Sequence, residues 1–201
     1  MQTDEELMLA YKAGHRPAFD VLAKKYWQPI YAFLRRLLKD ELLAEDAQSK
    51  TFLKLHNAAP TYQPSARFST FLFTIAYREA MSALRTLKRQ GQQVSLDEPS
   101  EGQREALVQP GELSPEEQVS RTQSLATMER ALTLMPPPYR AAFLMFYREG
   151  LPVQEIGEIL ELQPGSVRAY LTHARAIVRS ELEAAESEGT SPKVSRVAVR
   201  R

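Results

Sequence analysis

Cysteine is absent from the 201-residue chain. That excludes disulfides, thiolate nucleophiles and cysteine-ligated zinc, and it fits a reducing compartment. A charge excess of either sign is missing too: 26 basic side chains face 25 acidic ones, for a net charge of +1. The chain is no polycation, so any affinity for nucleic acid must come from local clusters of cations. No apolar run approaches the ~18 residues that span a bilayer. The acidic start, "MQTDEELMLAYKAG", lacks the apolar core of a secretion signal, and a cytoplasmic protein is expected. No glycine-rich phosphate loop, Ser/His/Asp set or paired-carboxylate arrangement stands out. His15, His56 and His173 are too dispersed for a metal cluster. No metal, cofactor or small-molecule substrate is expected, and the chain reads as non-enzymatic. Strand signals are scarce, and there is no internal repeat.

What is there is helical periodicity. Residues 151–182, "LPVQEIGEILELQPGSVRAYLTHARAIVRSEL", read as two short helices around a tight break. The first carries Ile156, Ile159 and Leu160 on one face. The second carries Val167, Leu171, Ala174, Val178 and Leu182 at the three- and four-residue spacing of a buried stripe. In the break, Pro164 cannot continue the first helix, Gly165 tolerates a special backbone angle, and Ser166 can cap the second helix. Gly157 lowers helix propensity and is expected to let another helix come close. This is the pattern of a helix-turn-helix that lays its second helix in a DNA major groove. Outside the buried stripe lie Arg168, Ala169, Thr172, His173, Arg175, Ala176 and Arg179, and no acid occurs from Ser166 to Ser180. Cations for phosphates and short polar groups for base edges are what DNA binding needs. Arg168, Thr172 and His173 are the base-edge candidates, and Arg175 and Arg179 the phosphate clamps. An ordinary helical hairpin with a solvated basic face would show the same pattern.

Upstream, Thr3 and Glu6 form a capping-box pair before Leu7, Met8 and Tyr11, with Gly14 as the stop. A long helix is expected from about Pro17 to Leu38, with Phe19, Leu22, Tyr26, Ile30, Phe33, Leu34 and Leu37 inside. Trp27, the single tryptophan, is expected in the core. A third helix covers about 40–57. Leu43, Ala47, Thr51, Phe52 and Leu55 lie on its inner face, and Glu41, Glu45, Asp46, Gln48 and Lys50 on its outer face. The loop "NAAPTYQPSARF" follows. A fourth helix covers about 69–88, with Leu72, Ile75, Ala76, Ala80 and Leu84 inside. Its other side is basic through Arg78, Arg85, Lys88 and Arg89, where a solvated face would look the same.

From 90 to 113 the periodicity vanishes into Gln, Glu, Gly, Pro and Ser, the composition of a flexible linker. Helix resumes at Ser114-Pro115-Glu116-Glu117, a cap with proline at the first helical position, and should end before Pro136. "YRAAFLMFYREG" reads as another helix, closed by Gly150. The fold class is therefore all-α, with two small helical domains, 1–89 and 114–185, on the tether 90–113. A disordered basic tail is expected over 186–201.

"AEDAQSKTF", "FSTFLFTIAYREAMSALR" and the helix-turn-helix after "LMPPPYRAAFLMFYREG", in that order and at that separation, resemble bacterial RNA polymerase sigma factors. The likeness is to the extracytoplasmic-function (ECF, group 4) type of the sigma-70 family, over about 4–88 and 116–184. It implies a sigma-2-like domain that grips the coiled coil of the polymerase's largest subunit and recognises and melts the −10 element. It implies a sigma-4-like domain that reads the −35 element and touches the flap, and a linker threaded toward the RNA exit path. It also implies an anti-sigma protein as a partner.

Carried over residue by residue, Tyr62, Gln63 and Arg67 fall in the base-capturing loop, Tyr62 as an exposed stacking surface, with Phe68, Phe71 and Phe73 following. Arg78, Arg85, Lys88 and Arg89 join them on the −10 side. Glu45, Asp46 and Ser49 correspond to the polymerase contact. Ser166, Arg168, Ala169, Thr172, His173, Arg175 and Arg179 correspond to the −35 contact, and Tyr139-Arg140 match a pair that contacts the DNA backbone or packs a helix start. Ser49, Lys50, Phe71, Arg78, Ser82 and Glu161 replace the family's usual residues, Glu161 standing where a turn glycine is common. The alternatives are a stand-alone helix-turn-helix transcriptional regulator, for which no heptad dimerisation element is visible, and a helical interaction protein.

Overall fold

A computed structural model describes residues 2–91 and 115–189, and every regular element among them is helical. The helices are α1 (Asp4–Lys12), α2 (Pro17–Leu38), α3 (Glu41–Ala58), α4 (Phe68–Arg89), α5 (Pro115–Leu134), α6 (Pro137–Tyr147), α7 (Val153–Leu160) and α8 (Pro164–Gly189), with a 3-10 turn at Ala59–Thr61. The linker expected at 90–113 lies outside the described residues from 92 onward, as do the cap at Ser114 and the tail beyond 189. By backbone proximity the chain divides into two compact units, Met1–Glu98 with Pro136–Ala174, and Pro99–Met135 with Arg175–Arg201.

In the first unit, helix starts follow local chemistry. The Thr3 hydroxyl accepts the Glu6 N–H at 3.2 Å, and the Glu6 carboxylate accepts the Thr3 N–H at 2.8 Å, the reciprocal box expected. Asp40 starts α3 by accepting the Leu43 N–H at 2.8 Å. Proline opens α2 and α6, where a missing N–H has no helical partner to lose. The stripe of α2 is buried as its spacing requires: Leu22, Ile30, Phe33, Leu34 and Leu37 are sealed from solvent. They meet Met8 of α1, Leu55 of α3 and Phe68, Leu72 and Phe73 of α4 in one core. Aromatic pairs stitch it, Phe33 edge-on to Phe73 with centroids 5.3 Å apart and Tyr26 against Phe68 at 5.4 Å. The same unit packs α6 on α2 and α7 on α4.

Several side chains sit where local periodicity does not put them. Trp27 is 46% exposed rather than in the core, its ring stacked on Phe52 at 5.0 Å. Gln48, expected on the outer face of α3, is buried, because its amide donates to the Trp27 carbonyl at 2.8 Å. A buried amide is tolerated once it is hydrogen-bonded. Leu182 is exposed, so the buried stripe of α8 stops short of it.

The break of the helix-turn-helix also differs in detail. The left-handed angle falls on Glu161, at φ 57°, which ends α7; Gly165 has no positive φ. Pro164 is the first residue of α8, and the Gln163 carbonyl accepts the N–H groups of Ser166 and Val167, so Ser166 lies within the helix instead of capping it. Gly157 admits its own turn and lies close to the next helix: a Cβ there would be 2.7 Å from the Leu162 carbonyl oxygen and 3.8 Å from Val167 Cγ2 of α8. The Leu162 N–H in turn donates to the Gly157 carbonyl at 2.8 Å.

In the second unit, α5 buries Thr127, Ala131 and Leu132, and Met135, just after the helix, is buried as well. Arg130 of α5 pairs with Glu181 of α8 at 3.7 Å.

Candidate nucleic-acid interface

The segment from Tyr62 to Arg67 leads into α4, and its placement depends on α1. Arg67, the residue before the helix, offers no side-chain cap. Instead the Glu5 carboxylate accepts the Phe68 N–H at 2.7 Å. That hydrogen bond is the largest cause holding Glu5 below its ordinary carboxylate range. The Lys12 ammonium anchors the segment from the other side by donating to the Tyr62 carbonyl at 2.8 Å.

Tyr62 corrects the expectation of an exposed stacking surface: it is 4% exposed. Its ring packs against Phe71 at 5.4 Å and edge-on to Phe68 at 6.4 Å, which removes it from solvent. Burial raises the pKa of its phenol, and its hydroxyl has no hydrogen-bond partner. Phe68 and Phe73 are core, and Phe71 is half-buried. Gln63 and Arg67 are exposed. Tyr62, Gln63, Thr70, Phe71, Arg78 and Glu158 line a pocket of about 210 Å³. Further along α4, Arg78, Arg85, Lys88 and Arg89 are all exposed, as expected.

Two of these cations have partners on α7 or on the residue that ends it. Arg67 Nε lies 3.3 Å from Glu155 Oε1, and Arg78 Nη2 donates to Glu161 Oε1 at 2.8 Å. The Thr70 hydroxyl donates to Glu155 Oε2 at 2.5 Å. Residues 83 to 88 positions apart are involved, and nothing in local spacing announces them.

On α8, Ser166, Arg168, Ala169, Thr172 and His173 are exposed within the first unit, while Val167, Leu171 and Ala174 are buried. The Thr172 hydroxyl donates to the Arg168 carbonyl at 2.9 Å. His173 sits edge-on to Tyr139 at 5.8 Å, and Tyr139 stacks on Tyr170 with centroids 4.1 Å apart and planes 13° from parallel. Tyr139 therefore packs the start of α6 against α8. Its neighbour Arg140 is buried, with Nη1 donating to the Leu37 carbonyl at 2.8 Å, so its guanidinium does not face a DNA backbone. Arg175 and Arg179, in the second unit, are exposed.

Glu45, Asp46 and Ser49 are exposed on α3. Asp46 pairs with Lys50 one turn on at 2.6 Å, which leaves Glu45 the more open carboxylate. Among the described residues no cluster of three or more His, Asp or Glu could hold a metal ion, and no helix is long and apolar enough to cross a membrane.

Residues 22–90 match the family model for sigma-70 region 2, and residues 125–178 match that for sigma-70, region 4. The chain is 25% identical over 184 residues to the RNA polymerase sigma-H factor of Pseudomonas aeruginosa, covering 90% of this chain and 95% of that one. It is 29% identical over 161 residues to the RNA polymerase sigma factor CarQ of Myxococcus xanthus, covering 80% and 87%. Two solved structures share the fold. One is CnrH in complex with the cytosolic domain of CnrY, with TM-score 0.66 and 18% identity over 91% of this chain and 99% of that one. The other is the sigma factor RpoE in complex with the anti-sigma factor NepR from Bartonella quintana, with TM-score 0.62 and 17% identity over 82% and 96%.

Proposed function

The chain belongs to the sigma-70 family of RNA polymerase sigma factors, of the extracytoplasmic-function type, and from that premise we propose how its surfaces divide the work of initiation. A sigma factor supplies promoter recognition to core RNA polymerase. Residues 1–89 serve as the sigma-2 module, 114–185 as the sigma-4 module, 90–113 as the connecting strap and 186–201 as a basic tail. That division is by task; α6 and α7 pack on α2 and α4 in the structure.

Melting the −10 element means drawing a base out of the stack, and a pocket with a stacking wall offsets that cost. The pocket beside Gln63, Thr70 and Phe71 supports this reading, with Tyr62 as part of its wall. Arg67, Arg78, Arg85, Lys88 and Arg89 neutralise phosphates along the same side. Glu45, with Asp46 and Ser49, meets the polymerase's largest subunit, where an acidic surface suits a basic partner. On α8, Arg168, Thr172 and His173 read −35 base edges, Ser166 and Ala169 border them, and Arg175 and Arg179 hold phosphates. The protein directs a catalyst and performs no reaction itself, and it works in the cytoplasm, where the polymerase is. An anti-sigma protein is its antagonist, as NepR is the partner of RpoE in the solved complex.

One observation carries this: a single chain presents, in order, a cationic helix within the region 2 match, beside a pocket lined mostly from that match, and a helix-turn-helix whose second helix has an acid-free outer face within the region 4 match. The experiment mixes the full chain with bacterial core RNA polymerase and a promoter library and reads run-off transcripts. Transcripts that require both components are expected. Duplex binding by the chain alone, with no polymerase association, would instead make it a stand-alone regulator.

A further inference from the structure

The segment from Tyr62 to Phe68, which the sigma-factor reading gives to the everted −10 base, has little order of its own. Gln63, Pro64, Ser65, Ala66 and Arg67 are exposed, and within the segment the Ser65 N–H donates to the Gln63 carbonyl at 2.9 Å. Both of its ends are held by α1. The Lys12 ammonium donates to the Tyr62 carbonyl at 2.8 Å, and the Glu5 carboxylate accepts the Phe68 N–H at 2.7 Å. Residues 5 and 12 are about two helical turns apart, roughly 10 Å, and so share one face of α1. That helix is fixed to the core without help from the segment. Its Asp4 carboxylate accepts the Lys25 ammonium at 2.7 Å and the Tyr26 hydroxyl at 2.6 Å. Leu7 and Met8 are buried. The Tyr11 ring lies 4.8 Å from that of Phe19, and its hydroxyl is hydrogen-bonded to His56 Nδ1.

We propose that α1 is a gauge for the −10 loop: Glu5 and Lys12 are positioning residues that fix the span between Tyr62 and Phe68 and so hold Gln63 and its neighbours in the pose that discriminates the everted base. This rests on the sigma-factor reading for what the loop binds. A loop ordered beforehand loses less conformational entropy on binding, so more of its contact energy appears as discrimination. Neither residue acts by touching DNA. The Lys12 ammonium is engaged with a backbone carbonyl, and the Glu5 carboxylate would repel a phosphate. Both stand before residues 22–90, the stretch that matches region 2. The −10 preference of this chain therefore depends in part on a helix outside that match.

Two measurements test the gauge. The first is amide hydrogen exchange of the full chain over residues 62–68. Lys12→Met keeps the side-chain stem and removes the donor, and Glu5→Met removes the acceptor; each should speed exchange in this segment. Unchanged exchange in both variants overturns the gauge. The second is run-off transcription with core RNA polymerase on barcoded promoters randomised over the −10 and −35 elements. Relative to the parent, Lys12→Met should flatten the preference at one −10 position on the order of fivefold or more, the low end of what one base contact discriminates. Preference at −35 should stay. Lys12→Arg and Glu5→Gln, which keep a donor and an acceptor, should recover most of the −10 preference. Lys24→Met removes a charge from an exposed position of α2 and should leave the profile as it is. A −10 profile in Lys12→Met equal to the parent's overturns the gauge. So does uniform weakening across sequences with a salt slope lower by about one, which would make Lys12 a phosphate contact. Failure of the sigma-factor reading shows in the parent itself, as an absence of polymerase-dependent transcripts, and takes the gauge with it. Failure of the gauge alone shows only in the variants.

Discussion

The carboxylate of Glu5 accepts the backbone N–H of Phe68 at 2.7 Å, so a residue of the first helix starts the fourth. An acid at a helix N-terminus satisfies an orphan donor and meets the positive end of the dipole. The pKa of Glu5 is lowered from 4.5, chiefly by this bond. A depressed carboxylate pKa stabilises the fold at pH above the unfolded value, and that contribution drains away as pH falls through the folded value. Thermal melting of the parent should therefore weaken below about pH 4.5. Glu5→Gln should cost about 1 kcal/mol at neutral pH and show a shallower loss on acidification. An identical acid profile in the variant would mean that other carboxylates carry the effect.

Gly157→Ala should destabilise, although alanine favours helix by about 1 kcal/mol. The added Cβ meets the Leu162 carbonyl oxygen at 2.7 Å, and that oxygen belongs to backbone that cannot rotate aside. A net loss of about 1–3 kcal/mol is expected, as for overpacking, with weaker duplex DNA binding because the turn sets the pose of α8. A rise in melting temperature would mean that the turn relaxes freely.

Arg140→Met should act on stability and leave DNA alone. It removes the donor to the buried Leu37 carbonyl, at a cost of about 1–3 kcal/mol. Because the guanidinium is buried, the salt dependence of duplex binding should keep the parent's slope. A slope reduced by about one unit would place Arg140 on a phosphate after all.

Arg168→Ala, on the exposed side of α8, should lower −35 recognition by about 1–3 kcal/mol and relax preference at one base position. Competition footprinting of the polymerase complex on promoter variants reads both quantities. Uniform weakening across sequences would move Arg168 to the phosphate contacts.

The helices were legible because their causes are local. The stripe from Leu22 to Leu37, the Thr3–Glu6 box and the prolines that open α2 and α6 each lie within a few residues of what they specify. The outward basic residues of α4 and α8 were legible for the same reason, since a helical period sorts faces. Tyr62 was not, because a loop has no period, and its burial comes from Phe71 and Phe68 after the chain turns back. Gln48 looked like surface until the Trp27 carbonyl arrived to satisfy it. Glu5 to Phe68, Arg140 to Leu37 and Arg78 to Glu161 span 63, 103 and 83 positions, distances over which spacing carries no signal.

Trp27 gives the chain a single indole, half in water, over Phe52 at the seam of α2 and α3. All tryptophan emission therefore arises at one known point, beside the α3 surface assigned to the polymerase. A blue shift when core enzyme is titrated in would report docking at that surface with no added dye. An unchanged spectrum in a complex that still transcribes would put the contact elsewhere on the helix.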